Sequence, residues 1–493
     1  MSEQSLKGKA INGLVWSAAD AFLGQGVTFL VGLILARLLS PEEYGLIGIV
    51  TIFTTILLGF VDSGFSNSLI RKIHVTDDDY CTLFIVNMVM SVLMCILLYV
   101  FAPTIALFFN KPQLIPLVRV MGLLLIFQGL SIVQMTILSR RIDFRTKTKA
   151  SVVSAVFSGL IGISMACLGY GVWSLVAQQL SRQLLYSIAL WILNKWHPRL
   201  RFNVESFRYM WGFGWKLMLS GFLDRLWNQL NQVVVGKFYN PHMLGQYTKS
   251  TEFAGLFSSN FTSIIQRVSY PVLSKVQDDR KRMVHAYRKV IKTTMFVTAI
   301  TMISMGAVSE PLIYCLIGPQ WVETAKFLPF ICISMSLYPL HAINLNMLQV
   351  QNRTDVFLFL EIIKKIISII PLVLGIFIGI YWMLVGGIVI GIISFFLNSY
   401  YTGKELGYSS GRQLLDVLPS YTVAFIVAVS VYFLKYLPIS YYLVLLLQVL
   451  TGLGVFLLCC NMLKLQDYKE VLEIAMTYIK KVLRKEYDYR ESV

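Results

Sequence analysis

The chain has 493 residues, 56% of them hydrophobic and only 14% charged, with a mean hydropathy of +0.67. A soluble protein of this length has too much surface to cover with so little charge, which excludes a water-soluble enzyme or binding domain. The net charge of +17 raises nucleic-acid binding as an alternative, but the cations are scattered over many short loops rather than gathered in one patch.

Apolar stretches long enough to cross a hydrocarbon core of about 30 Å as helix recur along the whole chain. Fourteen are predicted, at roughly 13–35, 44–66, 83–108, 115–138, 150–168, 172–191, 212–236, 244–266, 293–316, 327–350, 357–379, 382–401, 414–434 and 441–463. No strand-type alternation of barrel length appears, so the expected fold is an all-α polytopic membrane bundle. The first stretch has full spanning length and no small-residue cleavage site, and is expected to stay as a helix. The seven cysteines fall mostly inside spans and make no CxxC pair, so neither a zinc site nor a disulfide framework is expected. If loops alternate from a cytoplasmic N-terminus, 31 cations face the cytoplasm and five face outward. That bias predicts an even number of spans with both termini cytoplasmic.

Span 1 holds Asp20 and Gln25, and is followed by the outer turn ARLLSPEEYG at 36–45. Span 2 ends with Asp62 and Asn67 near the inner face. The Asp77-Asp78-Asp79 run has the DxD pattern of a nucleotide-sugar metal site, but with no α/β domain to hold a nucleotide it reads as a solvated turn. Arg119 and Arg182 fall within spans 4 and 6. Span 7, GWKLMLSGFLDRLWNQLNQVVVG, is the most polar. Asp224, Asn228 and Asn231 share one helical face there, with Arg225, Gln229 and Gln232 as the neighbouring stripe. The turn GKFYNPHMLG at 236–245 leads into span 8, where Lys249 and Glu252 are spaced to pair or Lys249 to snorkel outward. Pro339 and Pro371 predict kinks in spans 10 and 11. Two GxxxG patterns, Gly375/Gly379 and Gly387/Gly391, predict close helix contacts. The tail from 467 to 486 reads as an amphipathic basic helix lying on the inner membrane surface or docking a partner.

The two outer turns match at an offset of 200, placing Pro41 against Pro241, Gly45 against Gly245, and Gln25 against Arg225. Pro112 and Pro319, Arg145 and Arg353, and Trp173 and Trp382 follow in order at offsets of 207, 208 and 209. Ordered markers predict two parallel six-helix repeats followed by two extra helices. The boundaries are 1–193 for helices 1–6, a basic linker at 194–211, 212–403 for helices 7–12, 404–463 for helices 13–14, and a tail at 464–493.

LARLLSPEEYGLIGI (35–49), VDSGFSNSLIRK (61–72), RRIDFRTKTKA (140–150) and GYGVWSLVAQQL (169–180) resemble landmarks of the polysaccharide transporter family. That family lies within the multidrug/oligosaccharidyl-lipid/polysaccharide flippase superfamily, and the likeness is to its exopolysaccharide and lipopolysaccharide exporters. The motifs cover 35–180; the second half resembles the family by helix count and repeat. The resemblance implies a two-lobed membrane flippase that moves an undecaprenyl-diphosphate-linked glycan from the cytoplasmic to the periplasmic leaflet of a bacterial inner membrane.

Polar groups in hydrocarbon must face water, substrate or partners, so the expected cavity residues are Arg225, Asp224, Asn228, Asn231, Gln232, Gln25 and Lys249. A diphosphate favours the planar fork of Arg, and sugars favour amides, carboxylates and aromatic faces. Asp20, Asp62 and Glu252 are expected to couple H+ or Na+ or to act in gating. No cofactor or metal is implied. The expected partners are the lipid-linked glycan, the bilayer and polysaccharide assembly proteins, with no nucleic acid. Enzyme motifs (P-loop, HExxH, GxSxG) are absent. The alternatives are a membrane glycan polymerase, which the short outer loops disfavour, and a multidrug–cation antiporter of the same superfamily, which the span 7 cation disfavours.

Overall fold

A computed structural model describes residues 23–61, 64–275, 279–473 and 476. Among the described residues the chain is helical throughout and contains no strand, the polytopic all-α architecture expected from hydropathy. Among the described residues, helices lie within the predicted spans, and nine of them are long and apolar enough to cross a membrane. The helices Val172–Asn194, Val204–Phe238 and Pro241–Lys275 are long but too polar to be among the nine.

The helix starts repeat in order. Pro41, Asp77, Phe144 and Val172 open helices in the first half, and Pro241, Arg280, Thr354 and Ile380 open their counterparts. The predicted proline kinks are present as helix breaks at Leu337, two residues before Pro339, and at Ser368, three before Pro371. Proline has no N–H for the carbonyl four residues back, here that of Met335. The Ser258 hydroxyl donates to that carbonyl at 2.7 Å, so a neighbouring helix repairs the break. The GxxxG reading holds in part. Gly375 meets the Met383 side chain closely and Gly391 touches Leu337, but nothing described lies within 4 Å of a Cβ on Gly379 or Gly387, while Gly386, outside both patterns, packs on Pro371.

The helices form two compact units. The first comprises residues up to Thr248 together with Leu316–Gln320. One end is built on the core of Phe65, Leu69, Leu83, Val133, Ile137 and Met210. Its other end brings the two repeated turns together. The Arg37 Nε donates to the Leu316 carbonyl at 2.8 Å, the Gln246 carboxamide donates to the Gln320 carbonyl at 2.8 Å, and the Gln320 carboxamide donates to the Ala36 carbonyl at 3.0 Å. Gly45 sits on the Pro241 backbone and Gly245 on the Pro41 backbone. The second unit comprises Lys249–Cys315 and residues from Trp321 onward. At its centre Asn344 accepts from Tyr287 at 2.8 Å and from Thr402 at 2.7 Å, and donates to Gln413 at 3.2 Å. Arg288 grips Asp416 with two nitrogens, and Tyr408 donates to the same carboxylate at 2.6 Å.

The Asp77–Asp79 run is not the solvated turn expected. It opens the Asp77–Phe109 helix, with Thr76 and Asp79 forming a reciprocal capping box. Asp79 is 0% exposed and bonds Lys72 at 2.8 Å, while Asp77 accepts from the Trp196 indole at 2.8 Å. Three carboxylates at a helix N-terminus also oppose the helix dipole favourably. Replacing Asp79 removes a cap and leaves Lys72 without this partner. Asp79→Ala is therefore expected to cost about 2 kcal/mol, measured as a lower melting temperature of the purified protein, with Asp79→Asn losing less.

The start of the expected tail helix is present at 466–473, where Asp467 and Glu470 meet Lys292 and Lys289, each at 3.3 Å. Tyr468 and Val471 join the apolar cluster around Phe296 and Val423. The basic part of the tail beyond lies outside the described residues.

Candidate functional site

The Val204–Phe238 helix carries the predicted polar site. Asn203 caps its start, accepting from the Glu205 and Ser206 amides at 2.8 and 3.1 Å, and Lys237 lies in its last turn. At 100° per residue, Asn231, Asp224, Asn228, Gln232, Arg225 and Gln229 fall within one arc of roughly 160°, while Leu219, Leu223 and Leu226 lie opposite. Asp224, Asn228 and Asn231 are exposed on that arc, and Arg225 and Gln232 are half-buried at its edge. The Asn228 amide donates to Asp224 at 3.2 Å, across one helical turn, as the spacing predicts.

Arg225 lies against the Pro41–Val61 helix. A Cβ on Gly59 would stand 3.3 Å from the Phe222 Cα and 3.4 Å from the Arg225 Cδ, so a glycine at 59 admits both to close contact. Phe60 and Phe222 pack beside it, tilted at 45° with ring centroids 4.5 Å apart. The stem of the guanidinium thus lies at Gly59, while its stripe continues into exposed amides. Nothing in the sequence around Gly59 signalled this role, because the contact joins residues far apart in the chain.

The other expected residues are distributed. Lys249 is 4% exposed and bonds Glu252 at 2.8 Å, so it is buried and paired rather than snorkelling outward. Gln25 is exposed at the first turn of the Gln25–Leu38 helix. Asp20 and Asp62 lie outside the described residues. Arg119 lies over the Tyr99 ring at 4.4 Å, and Glu361 pairs with Lys364. The motif residues of 140–150 act at helix ends. Arg140 donates to the Lys72 carbonyl at 2.6 Å, and Asp143 caps the Phe144–Cys167 helix by accepting from the Thr146 amide at 3.1 Å. The row Gln178, Gln179 and Gln183 was missed by sequence reasoning, although Arg182 within it was noted.

Comparison with known proteins decides the family. The model of the polysaccharide biosynthesis protein family matches residues 34–326, more than half of the chain. The chain belongs to this family. Among similar proteins, the succinoglycan biosynthesis transport protein ExoT of Rhizobium meliloti (strain 1021) is 26% identical over 322 residues, 65% of each chain. The teichuronic acid biosynthesis protein TuaB of Bacillus subtilis (strain 168) is 27% identical over 312 residues, 62% of this chain and 63% of that one. The matched region thus spans just under two thirds of each relative's length. Among solved structures, the lipid II flippase MurJ in an inward closed conformation aligns with a TM-score of 0.71 at 17% identity, covering 94% of this chain and 100% of that one. The likeness to MurJ concerns the fold alone. As a family member with many apolar helices, this is a multi-pass membrane protein.

Proposed function

We propose that the protein flips a lipid-linked oligosaccharide or polysaccharide unit across a bacterial inner membrane, and that its lipid carrier is undecaprenyl diphosphate. The observation that carries this reading is the polar arc on Val204–Phe238, with Arg225 seated on Gly59. A membrane helix with six polar residues on one side is costly unless that side lines water or substrate. Arg225 supplies paired donors for a diphosphate, and Asn228, Asn231 and Gln232 supply amides for sugar hydroxyls. Family membership and the transport relatives support the same class of cargo.

Under this reading the two helical repeats alternate access, with boundaries near 193 and 212, and the glycan passes from the cytoplasmic to the periplasmic leaflet. Coupling to H+ or Na+ through Asp20, Asp62 or Glu252 belongs to the same proposal. So do polysaccharide assembly proteins as partners, both termini in the cytoplasm, and the absence of an enzymatic step. The test is a deletion strain: lipid-linked glycan, identified by mass spectrometry, accumulates and disappears on complementation. A strain without such accumulation and with normal surface glycan refutes the proposal.

Orientation has its own test. Pro41 is buried beneath Gly245, so the exposed neighbour Glu42 is the better outer probe. Cysteines at 42, 145 and 280 are expected to label from outside only at position 42 in intact cells. External labelling of position 280 contradicts the 31-to-5 distribution of cations.

A further inference from the structure

A second polar site lies within the first unit, on a different helix from the Arg225 arc. On the Val172–Asn194 helix, Gln178, Arg182 and Tyr186 follow at four-residue spacing, with Gln179 and Gln183 beside them. Residues so spaced share one helical face. That face lines a cavity of about 510 Å³, together with Thr28, Thr51, Ser151 and Ser154. Its size falls within the range of about 300–1,000 Å³ usual for small-ligand sites.

The cavity lies at mid-helix depth. Thr51, Ser154 and Arg182 each stand ten residues beyond the first residue of their helix, about 15 Å along the axis. Such a depth is too far for a guanidinium to reach an interface easily. Three of the four threonine and serine hydroxyl protons are already used within their own helices. Thr28 donates to the Gly24 carbonyl at 2.8 Å, Thr51 to that of Ile47 at 2.8 Å and Ser154 to that of Ser151 at 2.9 Å. Their oxygens therefore stand as acceptors, while the carboxamides both donate and accept. Gln183 is anchored by donating to the Ser131 hydroxyl at 3.3 Å. A Cβ on Gly162 would fall 2.7 Å from the Gln178 Cβ, so the glycine lets the Phe144–Cys167 helix seat Gln178 closely.

We propose that this cavity is a sugar subsite for an acidic residue of the glycan, a hexuronate whose carboxylate is taken by Arg182. A guanidinium is the one formally charged group of the described lining, and its fork matches a carboxylate. The carboxamides and hydroxyl oxygens match a ring bearing alternating hydroxyls, which both donate and accept. A purely structural cluster has no need of three carboxamides and a guanidinium around an open volume at this depth, where each polar group is expensive. The inference rests on the glycan reading above and adds the chemistry of one of its sugars.

The test is direct binding to the purified full-length protein in detergent, followed by thermophoresis. The probes are trigalacturonate, the neutral maltotriose and inorganic pyrophosphate. Wild-type protein is expected to bind trigalacturonate at least tenfold more tightly than maltotriose. Arg182→Gln is expected to lose at least tenfold toward trigalacturonate, and Arg182→Lys to lose less. Gln178→Leu is expected to weaken binding of both saccharides several-fold. Monodispersity and melting temperature report folding of each variant. Because the proposal gives the carboxylate to Arg182 and the diphosphate to Arg225, Arg225→Gln is expected to weaken pyrophosphate binding and keep that of trigalacturonate. Wild-type protein that ignores trigalacturonate, an Arg182→Gln variant that binds it as wild type does, or loss of binding through Arg225→Gln instead overturns the proposal. Failure of the glycan reading itself shows elsewhere, as a deletion strain that accumulates no lipid-linked glycan.

Discussion

Arg225→Ala is expected to abolish glycan export while protein abundance stays near normal. The residue lies twelve positions before Lys237, about 18 Å along the helix. At that depth a guanidinium cannot reach an interface easily, and the proposal gives it the diphosphate of the cargo. Its stem packs near Gly59 and Phe222, so truncation leaves a local gap, and a helix of this length retains its other contacts. The loss should therefore appear in transport. Arg225→Lys keeps the charge but not the planar fork, and is expected to restore export only in part. A residue that merely stabilises the fold gives the opposite pattern, with abundance and export falling together. Quantifying membrane protein by immunoblot beside surface glycan separates the two outcomes. Wild-type export by Arg225→Ala at normal abundance refutes the diphosphate role.

Gly45→Ala and Gly245→Ala are expected to be among the most destabilising single changes in the chain. A Cβ on Gly45 would fall 1.6 Å from the Pro241 carbonyl oxygen, and one on Gly245 would fall 1.9 Å from the Pro41 carbonyl oxygen. The obstructing atoms belong to backbone at the first residues of two helices, so they cannot swing aside as a side chain does. Each substitution is expected to cost about 3 kcal/mol, a large part of a typical stability of about 5–15 kcal/mol. The double variant should cost less than the sum, because the first change already separates the two turns. Gly221→Ala is the control. Nothing described lies within 4 Å of a Cβ there, and alanine favours helix over glycine. Melting temperatures in detergent that are equal for Gly45→Ala and Gly221→Ala contradict the close-contact reading.

These two predictions draw on different layers of information. The polar arc around Arg225 was legible in sequence, because helical spacing alone gathers Asp224, Asn228 and Asn231 on one side. Its seat on Gly59 was not, since no local pattern links positions so far apart. The repeated turns were also legible as a motif, but only their reciprocal contact shows why glycine and proline stand at matching positions.

By itself, the sequence determined the class of the protein: a polytopic helical membrane bundle, with its proline breaks and its family motifs. Hydropathy and helical periodicity are properties of consecutive residues, so they survive without knowledge of the fold. Tertiary structure alone decided which polar groups meet. It buried Asp79 against Lys72, withdrew Lys249 from the surface to Glu252, let Ser258 repair the carbonyl left by Pro339, and set Thr51 and Ser154 in one cavity with Arg182. Burial and pairing are properties of neighbours in space. In a chain folded from long helices, those neighbours are residues that the sequence keeps far apart.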